Sequence, residues 1–270
     1  MQIKVLGSGA SVGTPVIGCT CQVCNSTDLY DKRLRQSIYI LKDNTSVIVD
    51  CGPDIRQQCL SNGIQKIDAL FLTHAHQDHV GGIDDLRAFV YTSCKPLDVY
   101  LDVETLGMLK ERFGYVFSYK VKNRLGQRTD IIKTHILEPG VKYNVAENLE
   151  FEVFEQDHGF AEGMGRLKSL GFLFPNEGFA YSTDVKRMDD AVFKKLHDAR
   201  LKVWFLETLG KAVGGYEAHI SLTETISWID RVKPDKGFLI HISHELLHAE
   251  LLKTLPKHIR PAHDGMLVEL

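Results

Sequence analysis

The segment Thr73-His74-Ala75-His76-Gln77-Asp78-His79-Val80-Gly81-Gly82 sets three imidazoles and a carboxylate within a few residues. Neutral imidazole and carboxylate are donors suited to Zn, Mn or Fe. Such a density of donors calls for a tight loop, because a strand would send alternate side chains to opposite faces. The Gly81-Gly82 pair allows backbone to approach closely beside it. A second concentration is Cys19-Thr20-Cys21-Gln22-Val23-Cys24. Three thiolates at C-x-C-x-x-C spacing need a fourth ligand to complete a tetrahedral zinc site. None follows locally, so it must come from elsewhere in the chain. Histidine clusters again at His241, His244 and His248.

These groups need elements to position them. Short runs rich in Val, Ile, Phe and Tyr recur: QIKVLG, SIYILK, SVIVDCG, DALFLTH, LDVYLD, LEFEVFE, LGFLFP, GFAYSTD, VWFLETL and GFLIHIS. They read as strands. Helical patterns are expected over 53–62, 82–91, 103–112, 188–197, 221–232 and 245–253. The mixture predicts an α+β chain, with two sheets and helices packed outside them. A polar group recurs just past the end of an apolar run: Asp50, His74, His158, Asp184 and His241. A core strand aims its last residue at the rim of a sheet, where sites are built.

The 270 residues suit one domain, 1–270, with the cysteine loop at 18–25 as a local zinc-binding feature. With 44% hydrophobic and 25% charged residues, the composition excludes a disordered chain, a fibre and a small disulfide scaffold. No apolar run reaches the roughly 18 residues that cross a bilayer. The N-terminus reads as a strand and a glycine turn rather than a signal peptide, so a cytoplasmic location is expected. Cys51, Cys59 and Cys94 are then reduced core thiols. Net charge is −3. That argues against a large polyanionic partner and leaves any anionic substrate to local groups.

The H-x-H-x-D-H motif after an apolar strand, with isolated His, Asp and His after later strands, resembles the metallo-β-lactamase superfamily over nearly the whole chain. That resemblance implies a four-layer αββα sandwich with a dinuclear site at the sheet edges. It implies that His74, His76 and His158 hold one metal and that Asp78, His79 and His241 hold the other. Asp184 would bridge them, and Asp50 would steady the histidine loop. The stretch GSGASVGTPVIGCTCQVC, followed by SIYI and VIVDCG, resembles the phosphodiesterase branch of the carbon–phosphorus lyase pathway. There, three cysteines and a late histidine bind a structural zinc. The spacing His241-Ile242-Ser243-His244 makes His244 the implied fourth ligand, with His248 as the alternative. The branch also suggests a homodimer.

The implied chemistry is hydrolysis of a small phosphodiester, cyclic or nucleotide-like, by a water shared between two divalent ions, Zn or Mn or possibly Fe. His219, after the glycines of GGYEAHISL, would serve the leaving oxygen, with Asp78 the other catalytic residue. Arg166 and Lys168, in a glycine-bearing loop after His158, are candidates to grip phosphate. Residues 108–128 carry Lys110, Arg112, Lys120, Lys122, Arg124 and Arg128 with aromatics at every second position over 113–119. This alternation predicts a half-buried strand or extended arm, which could meet a nucleotide or a second subunit. Alternatives on the same metal core are tRNA 3′-end processing and lactone or thioester hydrolysis. A non-catalytic metal-binding protein fits least, since every expected ligand position is filled.

Overall fold

The computed structural model describes residues 1–161, 165–212 and 216–270. The strands are β1 (Gln2–Gly7), β2 (Ser37–Lys42), β3 (Thr45–Val49), β4 (Ala69–Phe71), β5 (Leu97–Leu101), β6 (Lys120–Lys122), β7 (Arg128–Asp130), β8 (Ile132–Ile136) and β9 (Lys142–Val145). They continue with β10 (Leu149–Ala161), β11 (Gly165–Phe174), β12 (Phe179–Ser182), β13 (Val203–Glu207), β14 (Lys236–Ile240), β15 (Ile259–Pro261) and β16 (Leu267–Glu269). The α-helices are α1 (Ile55–Ser61), α2 (Gln77–Val80), α3 (Arg87–Ser93), α4 (Val103–Arg112), α5 (Gly114–Ser118), α6 (Asp190–Asp198), α7 (Leu222–Val232) and α8 (His248–Thr254).

Two seven-stranded sheets form, in the orders β16-β1-β2-β3-β4-β5-β8 and β15-β14-β13-β12-β11-β10-β9. In the first, β1 to β3 are antiparallel neighbours, and β4, β5 and β8 join in parallel. In the second, β10 to β12 are antiparallel, while β12 to β15 run in parallel. Parallel strands end at the same edge, so their last residues gather along one rim.

The facing sides of the sheets share a core of Ile3, Ile38, Phe71, Phe151, Phe172 and Phe205. Each of these side chains, removed from water, contributes roughly 1.5–3 kcal/mol. The outer face of the first sheet is covered by residues of α1, α3 and α4, among them Ile55, Val90 and Leu109. The outer face of the second is covered by Phe193, Ile229 and Leu251 from α6, α7 and α8. The layers are therefore helix, sheet, sheet, helix, as expected. No helix among the described residues is long and apolar enough to cross a membrane.

Two local expectations need correction. Residues 108–112 and 114–118 are helical, in α4 and α5, and only β6 and β7 make a short ribbon beyond them. The alternating aromatics fit a helix as well as a strand. Phe113 and Phe117 are four apart and pack on the core. Tyr115 and Tyr119, also four apart, are exposed. The segment after His158 is not a loop either. It belongs to the long hairpin of β10 and β11, which pair from Glu152 with Leu173 out to Ala161 with Gly165. Residues 162–164 of that segment lie outside the described residues, as do 213–215, which include Gly214 and Gly215 before His219.

Candidate metal centre

The histidine motif sits where the two sheets meet. His74 and His76 lie on the loop after β4, whereas Asp78 and His79 lie on α2, so the motif is a loop running into one helical turn. Its seat is the segment after β3. A Cβ on Gly52 would meet the Asp78 carbonyl at 2.0 Å, and one on Gly82 would meet the Gly52 carbonyl at 2.3 Å. Only glycines permit that approach. Asp50 accepts from Thr73 N and Oγ1 and lies 2.7 Å from His79 Nδ1. That contact turns His79 Nε2 toward the site.

The remaining donors come from the second sheet: His158 lies within β10 rather than past a strand end as expected, whereas Asp184 and His241 stand just past strands. His158 falls at a register break in β10, between Asp157 and Gly159, and Ala218 O accepts from its Nδ1 at 2.9 Å. Gly159 has φ +86°, and a Cβ there would meet the Glu217 carbonyl at 2.1 Å. Asp184 follows β12, and His241 follows β14. Asp50, Asp184 and His241 adopt left-handed backbone, with φ of 63°, 53° and 52°. Non-glycine residues take that conformation at a cost, and such strain gathers at functional sites.

Two donor groups share Asp184: His74, His76, His158 and Asp184 form one, and Asp78, His79, Asp184 and His241 the other, with ligand atoms within 4.8 Å of one another in each; Glu207 and His219 join Asp184 and His241 in a further group that overlaps the second. The two oxygens of Asp184 divide between the first two. Its Oδ1 is 3.8 Å from His74 Nε2 and 3.5 Å from His158 Nε2. Its Oδ2 is 3.1 Å from His79 Nε2 and 3.6 Å from His241 Nε2. Asp78 Oδ2 stands 3.1 Å from His79 Nε2 and 3.6 Å from His241 Nε2.

The donor chemistry fits divalent cations. His74 Nε2, His79 Nε2 and His241 Nε2 are buried and make no hydrogen bond among the described residues. Buried polar atoms without partners are costly, and a cation would satisfy them. Burial drives the His74 imidazole well below its usual pKa, and burial with neighbouring His158 brings His76 down to about 4. Against the effect of burial, the carboxylates of Asp184, Asp78 and Asp50 instead raise the pKa of His79. Burial opposes charge on Asp184, yet His241 and His79 hold its carboxyl well below the usual range.

Sequence reasoning missed Glu207. It ends β13, is fully buried, and its Oε2 lies 3.1 Å from His219 Nδ1. Its Oε1 accepts from Ile220 N at 2.9 Å. Burial disfavours the His219 cation, but Glu207 outweighs it and raises the pKa to about 9. The His219 ring stacks on His241 with centroids 5.1 Å apart. The signal was present: Glu207 closes the apolar run VWFLE, as Asp50 closes SVIVD. Lys186 Nζ fixes the same loop by donating to His219 O.

The cysteine loop lies against His244. Cys19, Cys21, Cys24 and His244 form a third donor group. The Cys19 and Cys21 sulfurs are 3.4 and 3.3 Å from His244 Nδ1. A tetrahedral zinc with the usual bond lengths has S···N edges of about 3.5 Å. A Cys24 N–H and His244 bring the Cys21 thiol down to about 6. His248 is not in this group and packs against Tyr30 and His263. Buried Arg33 fastens the segment, donating to Ser243 O, Leu246 O and Asp31.

Other candidates lie apart. His135 pairs with Asp98 and His197 with Val232 O, so neither competes with His158. Cys51 and Cys59 are buried, while Cys94 is half-buried in the turn after α3. Arg166 and Lys168 are exposed on β11 and paired with carboxylates, Arg166 with Asp157 at 2.7 Å and Lys168 with Glu155 at 2.9 Å. Lys168 also lines a notch with His74 and His76, and Arg166 is not among the residues that line it.

A family model described as a β-lactamase superfamily domain matches residues 45–242. The chain belongs to this superfamily. It is similar to the crystal structure of a diphosphatase of the PhnP family, with 32% identity and a TM-score of 0.88 over 100% of this chain and 96% of that one. A Porphyromonas gingivalis protein named octanoyltransferase is 36% identical over 98% of this chain and 51% of its own length. A ribonuclease Z of Methanococcus maripaludis is 29% identical over 42% of this chain and 33% of its own. The chain thus spans about half the first of these curated relatives and a third of the second. Fold and family therefore agree, and the donor groups are of the kind that suit divalent metal.

Proposed function

We propose that this hydrolase is a phosphodiesterase acting on a small phosphodiester. His74, His76 and His158 would hold one metal, Asp78, His79 and His241 the other, with Asp184 between them and Asp50 orienting His79. Two ions so held would activate a water and offset the charge that develops on phosphate oxygens. Cys19, Cys21, Cys24 and His244 would hold a structural zinc.

The observation that carries the substrate class is the buried Glu207 behind His219. An alkoxide is a poor leaving group and needs a proton as its bond to phosphorus breaks. His219 stands beside the donor groups with its Nδ1 committed to Glu207. Nε2 is then the position from which a proton can pass to the departing oxygen. The likeness to a PhnP-family diphosphatase supports the same reading. The test is turnover of 2′,3′-cyclic AMP, whose leaving group is an alkoxide, by metal-loaded protein, beside His219→Ala and with p-nitrophenyl phosphate as monoester control. Diester turnover that falls in the variant is the expected result. Equal turnover in both proteins sinks the role of His219, and no diester turnover sinks the reading.

One observation favours a second reading. The relative named octanoyltransferase matches nearly all of this chain with half its length. On this reading the same site hydrolyses an octanoyl thioester, and the departing thiolate needs no proton from His219. Hydrolysis of p-nitrophenyl octanoate exceeding that of the diester would favour it.

A further inference from the structure

The segment after β14 supplies His241 to one donor group and His244 to another. Its next residue, Glu245, is left unused by the chemistry above. Glu245 Oε2 accepts from Tyr216 Oη at 2.7 Å and from Lys211 N at 3.1 Å. Tyr216 Oη in turn accepts from Ala212 N at 3.3 Å. These partners lie on the connection from β13 to α7, where His219 follows Tyr216 by three residues. The pair packs directly on Gly210. A Cβ there would meet Tyr216 Oη at 2.2 Å and Glu245 Oε2 at 2.4 Å, so a glycine is what leaves room for the contact.

Glu245 is itself held in place. Buried Arg33 donates to carbonyls on both sides of it, Ser243 O at 2.9 Å and Leu246 O at 2.7 Å. Ser243 N donates to Leu209 O at 3.0 Å, at the start of the same connection. None of these contacts involves a cysteine. His219 thus lies between two fastenings. On one side Ala218 O accepts from His158 Nδ1, and on the other Tyr216 reaches Glu245. A segment held on one side can pivot about that hold, and a second hold removes the freedom. A proton donor must stand within hydrogen-bond reach of the atom it serves, and a displacement of about 1 Å is costly.

We propose that Glu245 and Tyr216 are positioning residues, whose hydrogen bond sets where His219 meets the departing oxygen. This rests on the phosphodiesterase reading, and the test separates the two.

Turnover of 2′,3′-cyclic AMP would be measured for zinc-loaded wild type, Tyr216→Phe, Glu245→Ala, Glu245→Gln, His219→Ala and the double variant Tyr216→Phe/His219→Ala. Bound metal is quantified in each. The ring N–H signal of His219 is followed by NMR of protein with 15N-labelled histidine, and is assigned by its absence from His219→Ala. Tyr216→Phe should lower kcat about tenfold and leave KM within about twofold. Glu245→Ala frees Tyr216 and Lys211 N together and should lose more. Glu245→Gln keeps an acceptor oxygen and should recover most of that loss. With His219 already removed, Tyr216→Phe should cost nothing further. The ring signal should shift in Tyr216→Phe and Glu245→Ala. An equal loss with and without His219, a loss of bound metal or an unchanged kcat would overturn the proposal. The ring signal needs no turnover. If the wild type leaves the diester intact yet the signal shifts in Tyr216→Phe, the diesterase reading fails and the placement of His219 by Tyr216 stands. An unmoved signal refutes that placement.

Discussion

The two kinds of donor cluster are built in opposite ways. Cys19, Cys21 and Cys24 come from one short loop, and only His244 is distant. The His and Asp groups draw on β4, α2, β10, β12 and β14, spread from residue 74 to 241. A local set can form around an ion as the loop folds, so its ion acts as a staple. A dispersed set exists only once both sheets have closed, so its energy comes from the core. The dispersed set holds orphaned nitrogens on His74, His79 and His241 and left-handed backbone at Asp184 and His241. On the proposed reading, the cysteine cluster serves stability and the histidine clusters serve chemistry. Segment 241–244 joins them, supplying one residue to each.

That division can be broken by mutation. His76→Ala should reduce diester hydrolysis to background and lower bound metal, with the circular-dichroism melt nearly unchanged. A large loss of Tm would blur the distinction. Cys21→Ser should release one zinc and cost about 3 kcal/mol, roughly 10 °C in Tm, while folded molecules keep most of their activity. Metal analysis alongside thermal unfolding checks it, and matching behaviour of the two variants would erase the comparison.

Smaller effects sharpen it. Glu207→Gln should lower kcat about a hundredfold without loss of metal. His219 must be protonated to act as the acid, so activity declines as pH rises through its pKa, at about 9 with Glu207 in place. Without that carboxylate the cation is less favoured, and the alkaline limb of the kcat profile should move to lower pH. An unmoved limb would assign it to another group. Smallest of all, Arg166→Ala should change kcat/KM by less than about twofold, since Asp157 already holds that side chain in an exposed pair. A tenfold loss would restore Arg166 as a phosphate ligand.

Much of this was legible before folding was considered. Helix 103–112 was bounded correctly because Asp102 caps it by accepting from Thr105 N, and 221–232 because Ser221 and Glu224 form a capping box. The histidine and cysteine motifs announced themselves because their donors are close along the chain. The short strands β8, β9, β15 and β16 escaped because they are brief, often exposed and without strong alternation. The aromatic stretch misled because positions four apart satisfy both periods. Glu207 was overlooked because an acidic residue at a strand end, far from any motif, carries no local sign of its partner.

The sequence by itself determined the donor types, the two local motifs, the layered fold class and the strand ends on which donors stand. Those follow from periodicity and spacing, which act between neighbours in the chain. Only the tertiary structure decided that the oxygens of Asp184 face different histidine groups and that Glu207 lies behind His219. These contacts link residues up to more than a hundred positions apart. Their geometry is set by sheet register and by the packing of one sheet on the other, and no local pattern encodes it.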